Sequence, residues 1–88
     1  MAPIRLLLYS RTGCHLCDEM KEIVSSLASE YDFALEEVDI TTDNILESRF
    51  GEEIPVLFIN DRKAFKYRVT AAELRRRLRR ERRSGRWW

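Results

Sequence analysis

The fold is indicated most clearly by residues 4–27, which have the sequence IRLLLYSRTGCHLCDEMKEIVSSL. An apolar run opens this stretch and predicts a strand buried on both faces. A polar turn follows, and apolar residues between Leu16 and Leu27 then recur at the spacing of an amphipathic helix. Cys14 and Cys17, the only two cysteines in the chain, therefore lie where a strand passes into a helix.

The rest of the chain continues this alternation of strands and helices. The first two strands are joined by a helix and should be parallel, whereas the tight turn at Asn60-Asp61 makes the last two antiparallel. Thr70 and Glu73 form a capping box that opens the last helix. Strands are predicted at residues 4–9, 33–40, 56–59 and 64–69. Helices are predicted to begin near residue 14, between the second and third strands, and at residue 71. Thr41 or Thr42 is expected to cap the middle helix, which runs through Phe50, and Gly51 is expected to end it in a left-handed conformation. This order, β-α-β-α-β-β-α, predicts an α/β fold with a mixed four-stranded sheet flanked by three helices.

Length and composition indicate one small domain, since the chain has 88 residues of which 44% are hydrophobic. We assign residues 1–83 to this domain and residues 84–88 to a C-terminal tail. The longest apolar runs fall far short of the roughly 20 residues of a membrane span, and the N-terminus lacks the features of a signal peptide. A cytoplasmic protein is therefore expected, and in that compartment a close cysteine pair is more often catalytic or metal-binding than structural.

Charge is distributed unevenly, although the net charge is only +1. Residues 1–60 contain 4 basic and 12 acidic side chains, whereas residues 61–88 contain 12 basic and 3 acidic ones. Eight arginines lie between residues 75 and 86. These arginines largely surround the leucines of the last helix, so a solvated helix face explains most of them. The alternative is a binding module in which the arginines and Trp87-Trp88 bind nucleic acid or an acidic protein.

Two segments resemble the active site of glutaredoxins, a family of the thioredoxin superfamily. One is YSRTGCHLC at residues 9–17, followed by a helix, and the other is IPVLFIN at residues 54–60, which resembles the segment that carries the family's cis-proline. Together with the element order, the resemblance extends from Ile4 to about Arg80. It implies a thioredoxin-like fold of the glutaredoxin type and a thiol–disulfide oxidoreductase.

The chain departs from the glutaredoxin pattern in ways that concern glutathione. His15 and Leu16 stand between the cysteines, where dithiol glutaredoxins usually have proline and tyrosine. The Gly-Gly pair that helps the family to bind glutathione has no counterpart near Phe65-Lys66, and Asp61 stands where a turn glycine is usual. The resemblance is therefore to a divergent glutaredoxin-like branch, with glutathione as one candidate co-substrate.

Thiol–disulfide exchange needs a thiolate, a second thiol within reach and an accessible disulfide. Cys14, at the start of the helix, is the expected nucleophile, because unpaired backbone N–H groups and the helix dipole stabilise a thiolate there. Cys17 lies one turn deeper and is the expected resolving cysteine. Arg11, and His15 when protonated, could add positive potential beside Cys14.

Pro55 is the second candidate functional residue. From the pattern alone it is a proline at the start of a strand, a position that proline tolerates. The resemblance implies a cis Ile54-Pro55 bond facing the cysteines, with the Ile54 backbone free to pair with an incoming peptide or glutathione. The residues expected to bind substrate are therefore Arg11, His15, Leu16, Ile54 and Pro55.

The cofactors and partners expected from the sequence follow from the same motif. A zinc site within one chain is not expected, because four ligands are normally needed and the single histidine lies inside the only cysteine pair. Two copies of Cys14 in a dimer could nevertheless share a metal or an iron–sulfur cluster. Otherwise we expect a monomer that has no tightly bound cofactor and that binds neither a membrane nor nucleic acid. This monomer would exchange electrons with protein disulfides or glutathione and would be reduced by glutathione or a reductase.

Overall fold

The computed structural model describes the backbone of residues 3–84 and the side chains of residues 3–82. These residues form four strands and three α-helices in the predicted order. Their bounds are β1 Ile4–Ser10, α1 His15–Ser26, β2 Phe33–Asp39, a 3₁₀ helix Ile40–Thr42, α2 Asn44–Phe50, β3 Val56–Ile59, β4 Arg62–Lys66 and α3 Ala71–Ser84. Residues 85–88 of the expected tail, which include Trp87 and Trp88, lie outside the described residues.

The four strands form one mixed sheet in the order β2-β1-β3-β4. β1 is parallel to β2 and antiparallel to β3, and β4 is antiparallel to β3, so the predicted strand directions are confirmed. Tyr9 near the end of β1 lies opposite Val56 at the start of β3. The register therefore places the turn that leads to Cys14 and the segment that ends at Pro55 at the same end of the sheet.

The main core lies between the sheet and the pair α1 and α3. Burial along β1 alternates, so the prediction of a strand buried on both faces is wrong: Arg5 is exposed, and Leu7 and Tyr9 are half-buried. The reason is that, among the described helices, the short helix α2 covers the opposite face, where Phe50 stacks on Tyr9 with ring centroids 4.8 Å apart. The fully or almost fully buried residues of the main core include Leu6, Leu8, Met20, Val24, Leu27, Leu57, Ile59, Leu74 and Leu78.

The predicted end of α2 at Phe50 is confirmed, whereas its predicted N-cap and the predicted left-handed conformation of Gly51 are wrong. The cap is Asp43 rather than Thr41 or Thr42, because the Asp43 carboxylate accepts the backbone N–H of Ile45 at 2.8 Å. Gly51 follows the helix with a φ of −54°, which is right-handed rather than left-handed. Glycine is therefore not needed there for its conformational freedom.

The last strand, Arg62–Lys66, begins and ends earlier than the predicted range of 64–69. The two turn residues Asn60 and Asp61 have φ values of 48° and 68°, which is the geometry of a two-residue hairpin turn, so β4 starts directly after them. Tyr67 has a φ of 68° and ends the strand.

The predicted capping box of α3 is confirmed. The Thr70 hydroxyl accepts the Glu73 N–H at 3.1 Å, and the Glu73 carboxylate accepts the Thr70 N–H at 2.9 Å. Leu74 and Leu78, the predicted core anchors, have no exposed surface. Within the described part of the chain, no helix is both long enough and apolar enough to cross a membrane.

Candidate active site

Cys14 is the N-cap residue of α1, as predicted. Its backbone is extended, and its carbonyl accepts the first bond of the helix, from the Asp18 N–H at 3.1 Å. The backbone N–H of Cys17 donates to Cys14 Sγ at 3.1 Å. The Cys14 sulfur thus occupies the position where an N-cap side chain satisfies an otherwise unpaired N–H group of the first turn.

Cys14 and Cys17 are joined by a disulfide, with their Cα atoms 5.2 Å apart. Cys14 is half-buried, whereas Cys17 is only 2% exposed. A thiol that approaches from solvent therefore meets Cys14 first.

The turn before Cys14 depends on Gly13, whose φ is 79°. The Cys14 N–H closes this turn by donating to the Arg11 carbonyl at 3.3 Å. A Cβ on Gly13 would meet no atom within 4 Å, so the backbone conformation and not a lack of space favours glycine here.

The two cations expected beside Cys14 both have carboxylate partners. The Arg11 guanidinium lies 3.7 Å from Glu47 of α2, and its buried Nε has no acceptor among the described residues. His15 is 89% exposed, and its Nε2 lies 3.1 Å from the Glu19 carboxylate. A carboxylate therefore lies beside each of the two side chains that were expected to add positive potential at Cys14.

The Ile54-Pro55 peptide bond is cis, as the resemblance to glutaredoxins implied. Pro55 is fully buried and Ile54 is half-buried. Among the described residues, the Ile54 backbone pairs with no other backbone group, whereas the Pro55 carbonyl accepts the Tyr67 N–H at 2.8 Å. An unpaired Ile54 backbone thus lies at the end of the sheet that carries Cys14.

Leu16 lines a largely apolar groove of about 200 Å³ between α1 and the β4–α3 connection. Tyr67 forms the opposite wall, and its hydroxyl donates to the Glu52 carbonyl at 2.9 Å. The complete lining is Leu16, Glu19, Met20, Ile23, Tyr67, Arg68, Val69, Thr70 and Glu73. Tyr67 was missed from the sequence, because a single tyrosine after a strand belongs to no recurring pattern.

A second, polar groove of about 380 Å³ lies on the other side of the active-site turn. Its lining residues are Ser10, Arg11, Thr12, Gly13, Asp18, Glu37 and Asp39. The side-chain hydroxyl and the backbone N–H of Thr41, with further help from the Thr12 hydroxyl, hold the pKa of Asp39 below its ordinary value. This groove therefore keeps a negative charge at neutral pH.

Glu37 was also missed as a residue near the site. It accepts from Lys21 at 2.8 Å and from the Ser10 hydroxyl at 2.9 Å, and the bond from Lys21 is the main cause of its lowered pKa. The sequence signal was present in Glu36-Glu37, which breaks the apolar alternation of β2. Among residues 3–82, no three His, Cys, Asp or Glu side chains converge as metal ligands.

The sheet order, the helix that begins at Cys14 and the Cys14–Cys17 disulfide define a protein of the thioredoxin fold with a redox-type cysteine pair. A family model described as Glutaredoxin-like domain (DUF836) matches residues 5–79. The chain belongs to this glutaredoxin-like family.

Individual relatives agree with this assignment. The chain is similar to the Glutaredoxin-like protein YDR286C homolog of Dictyostelium discoideum, with 31% identity in an alignment 77 residues long that covers 81% of this chain and 71% of that protein. The crystal structure of the structural genomics target XcR50 from X. campestris superposes with a TM-score of 0.73 at 33% identity, over 85% of this chain and 96% of the other. A thioredoxin from Halobacterium salinarum, at 19% identity, superposes with a TM-score of 0.65 over 89% of this chain and 74% of its own, and shows the fold alone.

Proposed function

We propose that this protein is a thiol–disulfide oxidoreductase, with Cys14 as nucleophile and Cys17 as resolving cysteine. The observation that carries the proposal is the disulfide between a half-exposed Cys14 at a helix N-cap and a buried Cys17. In the reduced protein the same N-terminal turn of α1 would stabilise the Cys14 thiolate.

The proposed reaction proceeds in two exchange steps. The Cys14 thiolate attacks one sulfur of the substrate disulfide, which breaks the substrate S–S bond, forms a mixed disulfide and releases a thiolate that takes up a proton. The Cys17 thiol then loses its proton and attacks Cys14 Sγ. The second substrate thiol leaves, and the Cys14–Cys17 disulfide remains. Two electrons pass to the substrate, so each cycle needs an external thiol donor, which we propose is glutathione or a reductase in the cytoplasm.

Substrate binding is proposed at the rim that surrounds Cys14. The unpaired Ile54 backbone offers hydrogen bonds to the extended backbone of a disulfide-containing peptide. The groove that Leu16 lines, two residues along the chain from Cys14, offers space for an apolar side chain of the substrate. Arg11 and His15 complete the proposed binding surface. Pro55 is fully buried, so its proposed role is to hold the neighbouring Ile54 backbone in place. These features support protein disulfides as substrates, with glutathione as a further candidate.

Two single variants test the redox proposal directly, because they interrupt different steps. Cys14→Ser should lower disulfide reduction to the rate of the protein-free reaction, since the nucleophile is absent. Cys17→Ser should still attack but should stop at the mixed disulfide, which intact-mass spectrometry detects as one substrate adduct on Cys14. Reduction of an insulin or small-molecule disulfide with dithiothreitol as electron donor measures the first effect. The adduct is measured after dithiothreitol has been removed, because this dithiol would reduce the mixed disulfide.

Each variant is the control for the other, since both lack the intramolecular disulfide and one thiol. Equal activity of wild type and Cys14→Ser would overturn the proposal. Adduct formation by Cys14→Ser at the rate of Cys17→Ser would overturn the assignment of roles. A comparison of glutathione with a thioredoxin reductase system, as donors for the wild-type protein, then identifies the reductant.

A further inference from the structure

β4 forms an open edge of the sheet, and this edge is strongly basic. The sheet order leaves β4 with a single neighbour, β3, among the described strands. Arg62, Lys63 and Lys66 of β4 are all exposed. Lys63 pairs with Glu53, whereas Arg62 and Lys66 form no ion pair among the described residues. The edge therefore presents unpaired backbone groups together with positive charge, a combination that favours the addition of an extended acidic chain.

A groove of about 230 Å³ runs between β4 and α3. Phe65, half-buried against the main core, supplies apolar surface to this groove. Arg76, Arg77 and Arg80 of α3 supply cationic surface, and Glu73 completes the lining. The groove thus combines apolar and cationic surface beside an open strand.

Two arginines of this groove, Arg76 and Arg80, differ from Arg75 and Arg82 of α3 in their partners. Arg75 forms two hydrogen bonds with the Glu30 carboxylate, at 2.9 and 3.0 Å, and Arg82 lies over the Tyr31 ring. Arg76 and Arg80 form no ion pair among the described residues. Their charges therefore remain available to a ligand.

Arg77 and Glu73 of the same groove are only partly free. Arg77 lies 3.6 Å from Glu81, which is longer than a hydrogen bond. Glu73 is occupied by the Thr70 N–H as part of the capping box. The balance of charge in the groove is therefore positive.

We propose that the β4–α3 groove binds an extended acidic segment of a partner protein, which adds to β4 as a fifth strand. Alternate side chains of a strand point to the same face. One apolar side chain would pack on Phe65, and acidic side chains on either side of it would pair with Arg76 and Arg80. This inference does not depend on the redox activity, because it uses none of the residues around Cys14.

Two observations favour an acidic polypeptide over nucleic acid. Only a polypeptide can use the unpaired backbone groups of β4 as a strand does. In addition, residues 1–60 carry 12 acidic and 4 basic side chains, so a long polyanion that extends beyond the groove meets negative surface. A short acidic segment avoids this repulsion.

Pairing of β4 with the β4 of a second copy is disfavoured by the same charges. Such pairing would bring two sets of Arg62, Lys63 and Lys66 together, and like charges across a strand pair are destabilising.

The test measures binding of a fluorescein-labelled peptide to the full chain by fluorescence polarisation. In this peptide, glutamate, valine and glutamate occupy every second position, with threonine between them, so that all three side chains lie on the face toward the groove. Arg80→Glu should weaken binding about fivefold, because it removes one exposed ion pair and adds a repulsion. Arg79→Glu is the matched control: it makes the same charge change on the neighbouring residue, which does not line the groove, and should leave the affinity within about twofold.

Two further measurements separate strand addition from general attraction. The same peptide with alternate backbone amides N-methylated should lose binding, because it can no longer donate hydrogen bonds to β4. In NMR spectra of the wild-type protein, the peptide should shift the amide signals of residues 62–66 most strongly.

Four results would overturn the proposal. The first two are an equal loss of peptide affinity in Arg79→Glu and Arg80→Glu, and undiminished binding of the N-methylated peptide. The other two are changes of NMR amide signals confined to residues outside β4 and α3, and tighter binding of an oligothymidylate than of the peptide of equal charge. Disulfide reduction by Arg80→Glu should match that of the wild type. If Arg80→Glu binds the peptide less tightly but reduces disulfides at the wild-type rate, the change affects the groove alone. The peptide-binding test also remains valid if the protein proves to have no redox activity.

Discussion

Cys14 has two roles at the scale of single residues, because its sulfur is both the exposed end of the disulfide and the cap of α1. Removal of the sulfur should therefore destabilise the helix as well as abolish the exchange chemistry. Cys14→Ser keeps an acceptor for the Cys17 N–H, whereas Cys14→Ala does not. We expect Cys14→Ala to be less stable than Cys14→Ser by about 1 kcal/mol.

Urea unfolding of both variants under reducing conditions measures this difference. Neither variant can form the disulfide, so the comparison isolates the capping contact from the cross-link. If the two variants have equal free energies of unfolding, the contact between Cys14 Sγ and the Cys17 N–H does not stabilise the helix.

The residues of the site were predictable where they belong to one local motif. Cys14, Cys17 and the cap geometry follow from the strand-to-helix transition. The partners of Arg11 and His15 illustrate the limit: Glu19 lies one turn along the same helix as His15, but Glu47 reaches Arg11 only after the sheet has formed. The ion pair between Arg11 and Glu47 therefore depends on tertiary structure and could not be predicted from the local sequence.

At the scale of elements, the Thr70–Glu73 box determines where α3 begins. Thr70→Ala removes the acceptor for the Glu73 N–H and should lower the free energy of unfolding by about 1 kcal/mol. Thr70→Ser retains the hydroxyl and should change stability by only a few tenths of a kcal/mol, by roughly the difference between two good caps. Urea unfolding at neutral pH measures both, and equal losses would show that the hydroxyl is not the stabilising group.

The start of α2 shows why several capping signals in a row cannot be resolved from the sequence. Thr41, Thr42 and Asp43 are all competent caps. In the structure, Asp39 accepts both the N–H and the hydroxyl of Thr41, and the Thr42 hydroxyl donates to the Asp39 carbonyl. Both threonines are therefore used by the 3₁₀ turn, and Asp43 remains to cap α2.

The end of β4 was mispredicted for a related reason. Residues 64–69 have a strand-like composition, and nothing local indicates that Tyr67 adopts a positive φ. The hydrogen bonds of Tyr67 to Pro55 and Glu52 are contacts between distant parts of the chain, and they accompany this conformation. Propensity therefore predicted that the strand exists, and tertiary contacts decided its length.

At the scale of the whole molecule, ion pairs connect elements that are distant in sequence. Three glutamates each accept a hydrogen bond from a cation on another element or loop, and this bond is the main cause of a lowered carboxyl pKa. The pairs are Glu30 with Arg75, Glu37 with Lys21, and Glu53 with Lys63. These pairs make the stability of the fold depend on pH.

The direction of that dependence follows from proton binding. Each of the three carboxyls has a folded-state pKa below its ordinary value of 4.5, so the folded protein binds fewer protons than the unfolded chain in this range. Their stabilisation is therefore complete above about pH 4.5 and is lost as the pH falls through the folded-state pKa values. The triple variant Glu30→Gln, Glu37→Gln, Glu53→Gln should be less stable than wild type at pH 7 and should lose less stability on acidification.

A matched triple variant removes the same number of carboxylates from glutamates without an ion pair among the described residues: Glu22→Gln, Glu36→Gln, Glu52→Gln. Urea unfolding at pH 7 and at pH 3 should give this control the same acid-induced loss as wild type. Because both triple variants change the net charge equally, a general reduction of charge repulsion would reduce the acid-induced loss of stability equally in both. That outcome would contradict the assignment of the acid sensitivity to the three ion pairs. A smaller loss only in the variant that lacks the three paired glutamates would support this assignment.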